Sequence, residues 1–252
     1  MSVTGVVQIE RKDNPTLGSV FYVFAILNST VQLVFGKLLF DNQPKFKPEM
    51  ALLMRSAWSL VLLILLINFN FKKIMVDSVK KNDYPYLTFR TLSSTLTQVI
   101  NTFASKYIPL TIIGVTNNLS PLCTVVLAYI FLGERLKMIE IVFLGLLAAG
   151  IFTIVLGASK TSNPKEKTIT QAPWLYVALF INPLLVASGT IISRKIKHIH
   201  EYVAAVYINI STLLFNIAIM LSYKEKLLPV LANFSSLDWV CSVMQGICFV
   251  NN

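Results

Sequence analysis

Seven side-chain amides stand inside stretches that are otherwise apolar: Asn28, Gln32, Gln98, Asn101, Asn117, Asn118 and Gln245. Each brings two donor hydrogens and an acceptor, none of which lipid can satisfy. Packing contacts between helices need fewer such groups, so the set points to a wet cavity that recognises a polar solute. Ser188 belongs to the same polar class. Pro121 has no N–H, so the carbonyl of Asn117 loses its partner one turn on, beside the Asn117 and Asn118 amides. Groups for bond-breaking chemistry are scarce. His198 and His200 are two apart, which does not align them on one helix face, and no third ligand is near. The chain is therefore not read as an enzyme, and no metal or cofactor is expected. Cys123, Cys241 and Cys248 all lie in apolar runs and suggest neither a disulfide framework nor zinc. No Asp or Glu lies deep in a run, which argues against a carboxylate proton relay.

The elements that hold these groups are long and apolar. Only 13% of the 252 residues are charged, 55% are hydrophobic, and the mean hydropathy is +0.66. A soluble domain carries about a quarter charged residues. A bilayer-spanning helix takes about 20 apolar residues. Eight runs meet or approach that length: 17–40, 50–71, 86–107, 109–132, 138–157, 173–193, 202–222 and 237–252. The fold class is all-α integral membrane, with the lipid bilayer as first partner and either a plasma membrane or an endomembrane as location. Net charge is +10, but the basic residues cluster between runs, where they meet headgroups, so nucleic acid is not expected. An N-terminus in the cytoplasm divides the 22 basic residues 12 to 10, a slight preference for that orientation.

Within the 86–107 run, Thr91, Ser94, Thr95, Gln98, Asn101, Thr102 and Ser105 recur at three-to-four spacing and share one face. Asn28 and Gln32, then Asn117, Asn118 and Pro121, then Ser188, then Gln245, extend the polar lining to the first, fourth, sixth and eighth runs. Arg55 lies six residues into the second run, where it snorkels to the interface or stands at the cavity mouth. Gly133 can end the fourth run in a left-handed cap, with Glu134 starting the next helix and Arg135 in the headgroups. That turn makes its two helices antiparallel neighbours. Gly145 and Ala149, four apart, would let the fifth helix approach a neighbour closely, in this chain or in a homodimer.

Residues 1–16 form a polar head, 17–157 a first five-helix unit, 158–172 a surface linker and 173–252 a partial second unit. Gln98 against Gln245, and Lys37 against Lys195, hint that the second unit repeats the first.

Residues 104–157 resemble the end of the first repeat of the drug/metabolite transporter superfamily, the EamA-type domain. The features are Ala104 with "YIP", "LSPL" at 119–122, "LAYIFLGERL" at 127–136 and the small-residue-rich helix that follows. "PEMALLMRSAW" at 48–58 resembles that family's second helix, arginine included. The resemblance implies ten helices in two inverted repeats and alternating access around a central cavity lined by helices one, three, four, six, eight and nine. It implies a secondary transporter of a small organic solute. Against that pattern the sequence lacks two and a half helices after Asn252, which leaves a truncated, non-transporting membrane protein or packing partner as the alternative. No pair of basic residues is expected deep in the cavity, which disfavours a phosphate ligand.

Overall fold

Proline marks where helices begin. It opens α1 (Pro15–Asn42), α2 (Pro48–Leu66) and α7 (Pro173–Lys195), and is the second residue of α3 (Tyr84–Tyr107) and α5 (Ser120–Leu132). There its missing N–H costs nothing. Pro109 caps α4 (Leu110–Asn117), and α6 (Met138–Thr161), α8 (Glu201–Ser222) and α9 (Ser236–Val250) complete the series. The computed structural model describes residues 15–67, 79–133, 138–161, 173–196, 199, 201–222 and 234–250. Among these residues there is no strand. α4 and α5 follow one another along one path, so the nine helices make eight passes. Five passes are long and apolar enough to cross a membrane: Val23–Asn42, Pro48–Leu66, Leu110–Phe131, Trp174–Lys195 and Tyr202–Ser222. The chain is an all-α, multi-pass membrane protein.

Several boundaries differ from the sequence reading. The second helix is described to Leu66, with the Ile67 N–H bonded to the Leu63 carbonyl at 2.9 Å, and residues 68–71 of the expected run lie outside the described residues. The helix read as ending at 157 continues to Thr161, so the start of the expected linker is helical. Nothing in Ala158–Thr161 breaks a helix, and the first proline comes only at Pro164. Residues 162–172, Glu134, Arg135, His198, His200 and Asn252 lie outside the described residues. Gly133 does take the left-handed conformation, at φ +64°.

Early and late helices interleave: α3 packs on α7, α1 on α9, and α2 on α8, so each of the first three helices pairs with a late one. Hydrogen bonds follow the same scheme: the Ser59 hydroxyl of α2 donates to the Gly246 carbonyl of α9 at 3.0 Å, and Thr95 of α3 meets Thr212 of α8 at 3.4 Å. α6 touches the bundle mainly at α4. Its Gly145 and Gly150 have nothing within 4 Å of a would-be Cβ.

Three apolar clusters hold the bundle. At one end, Leu39 and Phe40 of α1, Phe46, Met50 and Met54 around the start of α2, and Cys241 of α9 pack together. Beside them Ala104 and Ile108 at the end of α3 meet Ile113, Leu175 and Leu179. At the other end, Leu63 and Ile67 meet Leu87, Ile196 and Val203. The starts of α2, α4, α7 and α9 therefore share one end with the finishes of α1 and α3.

That first end is sealed by polar contacts as well. Lys106 donates to the Phe46 and Pro44 carbonyls at 2.7 and 3.3 Å. Gln43 donates to Asp238 Oδ2 at 3.0 Å, tying the first connector to α9. Asp238 Oδ2 also accepts the Ser235 N–H at 2.9 Å, while Ser235 Oγ accepts the Asp238 N–H at 3.3 Å. This reciprocal capping box fixes the start of α9. Phe46 is fully buried, with Phe234 edge-on to it at 5.1 Å and Trp239 behind Phe234.

Candidate functional site: a one-sided polar cavity

A cavity of about 850 Å³ lies between α1, α2, α3, α4, α5, α7 and α9. Its volume suits a small organic molecule. Gln32, Gln98, Asn101, Asn117, Asn118, Pro121 and Gln245 line it. Their helices are those the polar stripes had marked. α2 joins them through Ala51 and Arg55.

Two of the expected wall residues sit elsewhere. The Asn28 amide donates to the Cys248 carbonyl at 2.5 Å, so it ties α1 to the last turn of α9 and does not line the cavity. Ser188 donates to the Leu185 carbonyl of its own helix at 2.8 Å and is likewise outside the wall. That is the general habit of the hydroxyls here. Thr116, Thr124, Thr190 and Ser193 each bond the carbonyl four residues back. Such bonds satisfy the group locally and ask nothing of a neighbouring helix.

The α3 stripe divides along its length. Gln98, Asn101, Thr102 and Ser105 face the cavity. Thr95, one turn earlier, is buried against Ser211 and Thr212 of α8. The amides bridge helices. Asn182, fully buried on α7, donates to Asn101 Oδ1 of α3 and to Asn117 Oδ1 of α4, each at 3.0 Å. Arg55 of α2 donates to Gln98 Oε1 of α3 at 2.5 Å.

Arg55 does not snorkel. It is only 7% exposed and turns inward to the cavity wall. Arg55 stands two turns into α2, and the nearest interface is at the sealed end, where Phe46 and Met50 already occupy the space. Arg194, placed by the sequence reading in a connector, is in the last turn of α7 and also lines the cavity. The wall thus carries two arginines, but Arg194 is exposed and does not make with Arg55 the pair of basic residues deep in the cavity whose absence the sequence suggests.

At Asn117 the pass is kinked, with Asn118 and Leu119 still in right-handed helical dihedrals. α4 stops there, Asn118 and Leu119 form a turn, and α5 restarts at Ser120 with Pro121 second. The Cys123 N–H picks up the ladder by bonding the Leu119 carbonyl at 3.0 Å. A helix interrupted by proline is tolerated at this depth where it lines a cavity, and Asn117, Asn118, Ser120 and Pro121 all do.

Among the described residues the cavity is closed toward the sealed end, while Asn118 and Pro121 at mid-depth of its wall are exposed. Its lining near the sealed end, Gly36, Ala51 and Ser105, is buried. Toward the other end Ser29, Thr30, Thr190 and Arg194 are exposed.

The sequence pattern of the EamA-like transporter family matches residues 16–156. The chain belongs to this family. It is thus a multi-pass membrane protein of a family of small-solute transporters, and the matched stretch runs from α1 into α6. No curated protein matches the chain. The EamA-like match contains Arg55, Gln98, Asn101 and Asn117, whereas Asn182, Arg194 and Gln245 lie beyond it.

Gly36 and Gln245 mark how closely α1 and α9 cross in this EamA-like bundle. A Cβ added at Gly36 would come 2.6 Å from Gln245 Nε2. That atom ends a flexible side chain, so it can swing away. Gly36→Ala is expected to change stability by less than about 1 kcal/mol. Thermal unfolding in detergent measures this; a large drop would mean that Gln245 is fixed in place.

Proposed function

We propose that the protein is a secondary carrier that moves a small organic solute by alternating access through this cavity. The observation that carries the reading is a polar cavity sealed at one end, open at the other, and walled by amides that cross between helices. Its size fits a metabolite rather than a macromolecule. The proline kink between α4 and α5 supports it, since carriers build their sites at interruptions of helices. So does the interleaving of early and late helices, in which α1 on α9 answers α7 on α3, as in a two-unit repeat. The 17–157 and 173–252 units are the two halves of that arrangement.

Uptake of a metabolite panel into proteoliposomes tests the reading. Gln98→Ala and Asn117→Ala are each expected to lower uptake about tenfold, the loss of one good hydrogen bond in the site. Unchanged uptake in both variants would sink the cavity assignment. No uptake of any solute by the unaltered chain would favour a packing role in the membrane.

A further inference from the structure

We infer that the cavity takes a small organic anion, its carboxylate or phosphate group received by Arg55 and a wall of amide donors. This deepens the carrier reading and rests on it.

The polarity of the wall follows from which end of each amide is already engaged. Arginine can only donate, so the atom of Gln98 that it meets must be the carbonyl oxygen. The end of Gln98 left for the cavity is then its NH₂. Asn101 and Asn117 repeat the pattern. Both turn their Oδ1 back to the single Nδ2 of Asn182, behind the wall. Among the described residues neither makes another hydrogen bond, so each offers its two N–H donors to the space it lines.

The orientation of Asn182 has a physical reason. As it stands, one buried atom, Oδ1, has no hydrogen-bond partner. Turned over, the residue would instead bury an NH₂ with two hydrogens and no acceptor. Leaving one carbonyl unmatched costs less than leaving two donors unmatched. Asn182 is therefore a positioning residue, which sets the polarity of the wall from behind it.

Three amide donors and a guanidinium on neighbouring helices describe a receptor for acceptor atoms. Among the described residues the lining contains Arg55 and Arg194 and no Asp or Glu. A cationic solute would find no carboxylate there to receive it. Arg194 stands toward the open end, where an exposed positive charge raises the local concentration of anions. Arg55 lies nearer the sealed end, in a place of low dielectric where a charge-assisted hydrogen bond is strongest. Carboxylate and phosphate share the needed chemistry: negative charge and several acceptor oxygens in a compact group.

The test is binding to the purified full chain in nanodiscs, with succinate, glycerol 3-phosphate, succinamide and putrescine as titrants. At least one of the two anions is expected to bind, and at least tenfold more tightly than the neutral diamide or the diamine. Which anion binds separates carboxylate from phosphate recognition. Arg55→Gln is expected to weaken that binding tenfold or more, and Arg55→Lys less. Circular dichroism melting shows whether each variant is folded; should Arg55→Gln fail to fold, the four-ligand comparison on the unaltered chain decides alone. Binding of neither anion overturns the proposal. So does succinamide or putrescine binding as tightly as the better anion, or full anion affinity in folded Arg55→Gln. Neutral or cationic binding that Gln98→Ala abolishes would overturn the anion and leave the carrier standing.

Discussion

Leucine in place of Gly246 is expected to cost the protein more than about 3 kcal/mol, and alanine about 1–3 kcal/mol. Gly246 is where α9 crosses α2 at closest approach. A Cβ there would lie 2.5 Å from Trp58 Cβ and 3.5 Å from the Ser59 backbone nitrogen. Neither atom ends a flexible side chain. Both belong to the body of α2, so relief requires the helices to separate. Separation would also stretch the 3.0 Å bond from the Ser59 hydroxyl to the Gly246 carbonyl. In a membrane, glycine at a helix crossing is favoured because dispersion at short range replaces the hydrophobic drive. Thermal unfolding in detergent measures the effect, with Gly36→Ala as the mild counterpart. A Gly246→Leu midpoint equal to that of the unaltered chain would show that α9 does not dock as described.

Asn182→Leu is the second large expectation, and its effect is on selectivity. Leucine has a similar volume but no donor, so Asn101 and Asn117 would face an apolar group with their carbonyl oxygens. Each unsatisfied buried acceptor costs about 1–3 kcal/mol. Both residues line the cavity, so they can escape the cost by turning those oxygens toward it. Stability is then expected to fall by about 1–3 kcal/mol rather than twice that, while the wall changes from donor to mixed. The preference for succinate or glycerol 3-phosphate over succinamide should fall about tenfold. A residue that merely filled space would lower stability and leave that preference alone. A retained preference in a folded variant would remove Asn182 from the recognition scheme.

The parts legible in the sequence are those governed by local rules. Hydrophobic run length located the helices, five of which are long and apolar enough to cross a bilayer. Gly133 was readable as a left-handed cap because few other residues take that conformation without strain. Three-to-four spacing on α3 gave a polar face. What lies opposite a face is not a local property, so the handover from Thr95 against α8 to Gln98 in the cavity was invisible. Asn28 was misplaced for the same reason: its acceptor is a backbone carbonyl 220 residues away, which no side-chain pattern announces. Arg194 was lost at a boundary, since hydropathy closes a run at the first charge whereas the helix continues. Ser235 and Asp238 form a capping box whose spacing is plain in the sequence, whereas its tie to Gln43, 195 residues away, is not.

The seal made by Phe46, Lys106 and Asp238 bears on direction as well as on shape. For a carrier, a solute arriving from the Arg194 side meets a site already available, while one arriving from the other side must wait for the seal to part. Detailed balance forbids such a difference from driving accumulation. It sets only the two waiting times, so net movement still follows the gradients. Unequal half-saturation concentrations for entry and exit would be its kinetic trace, without any energy source having been added.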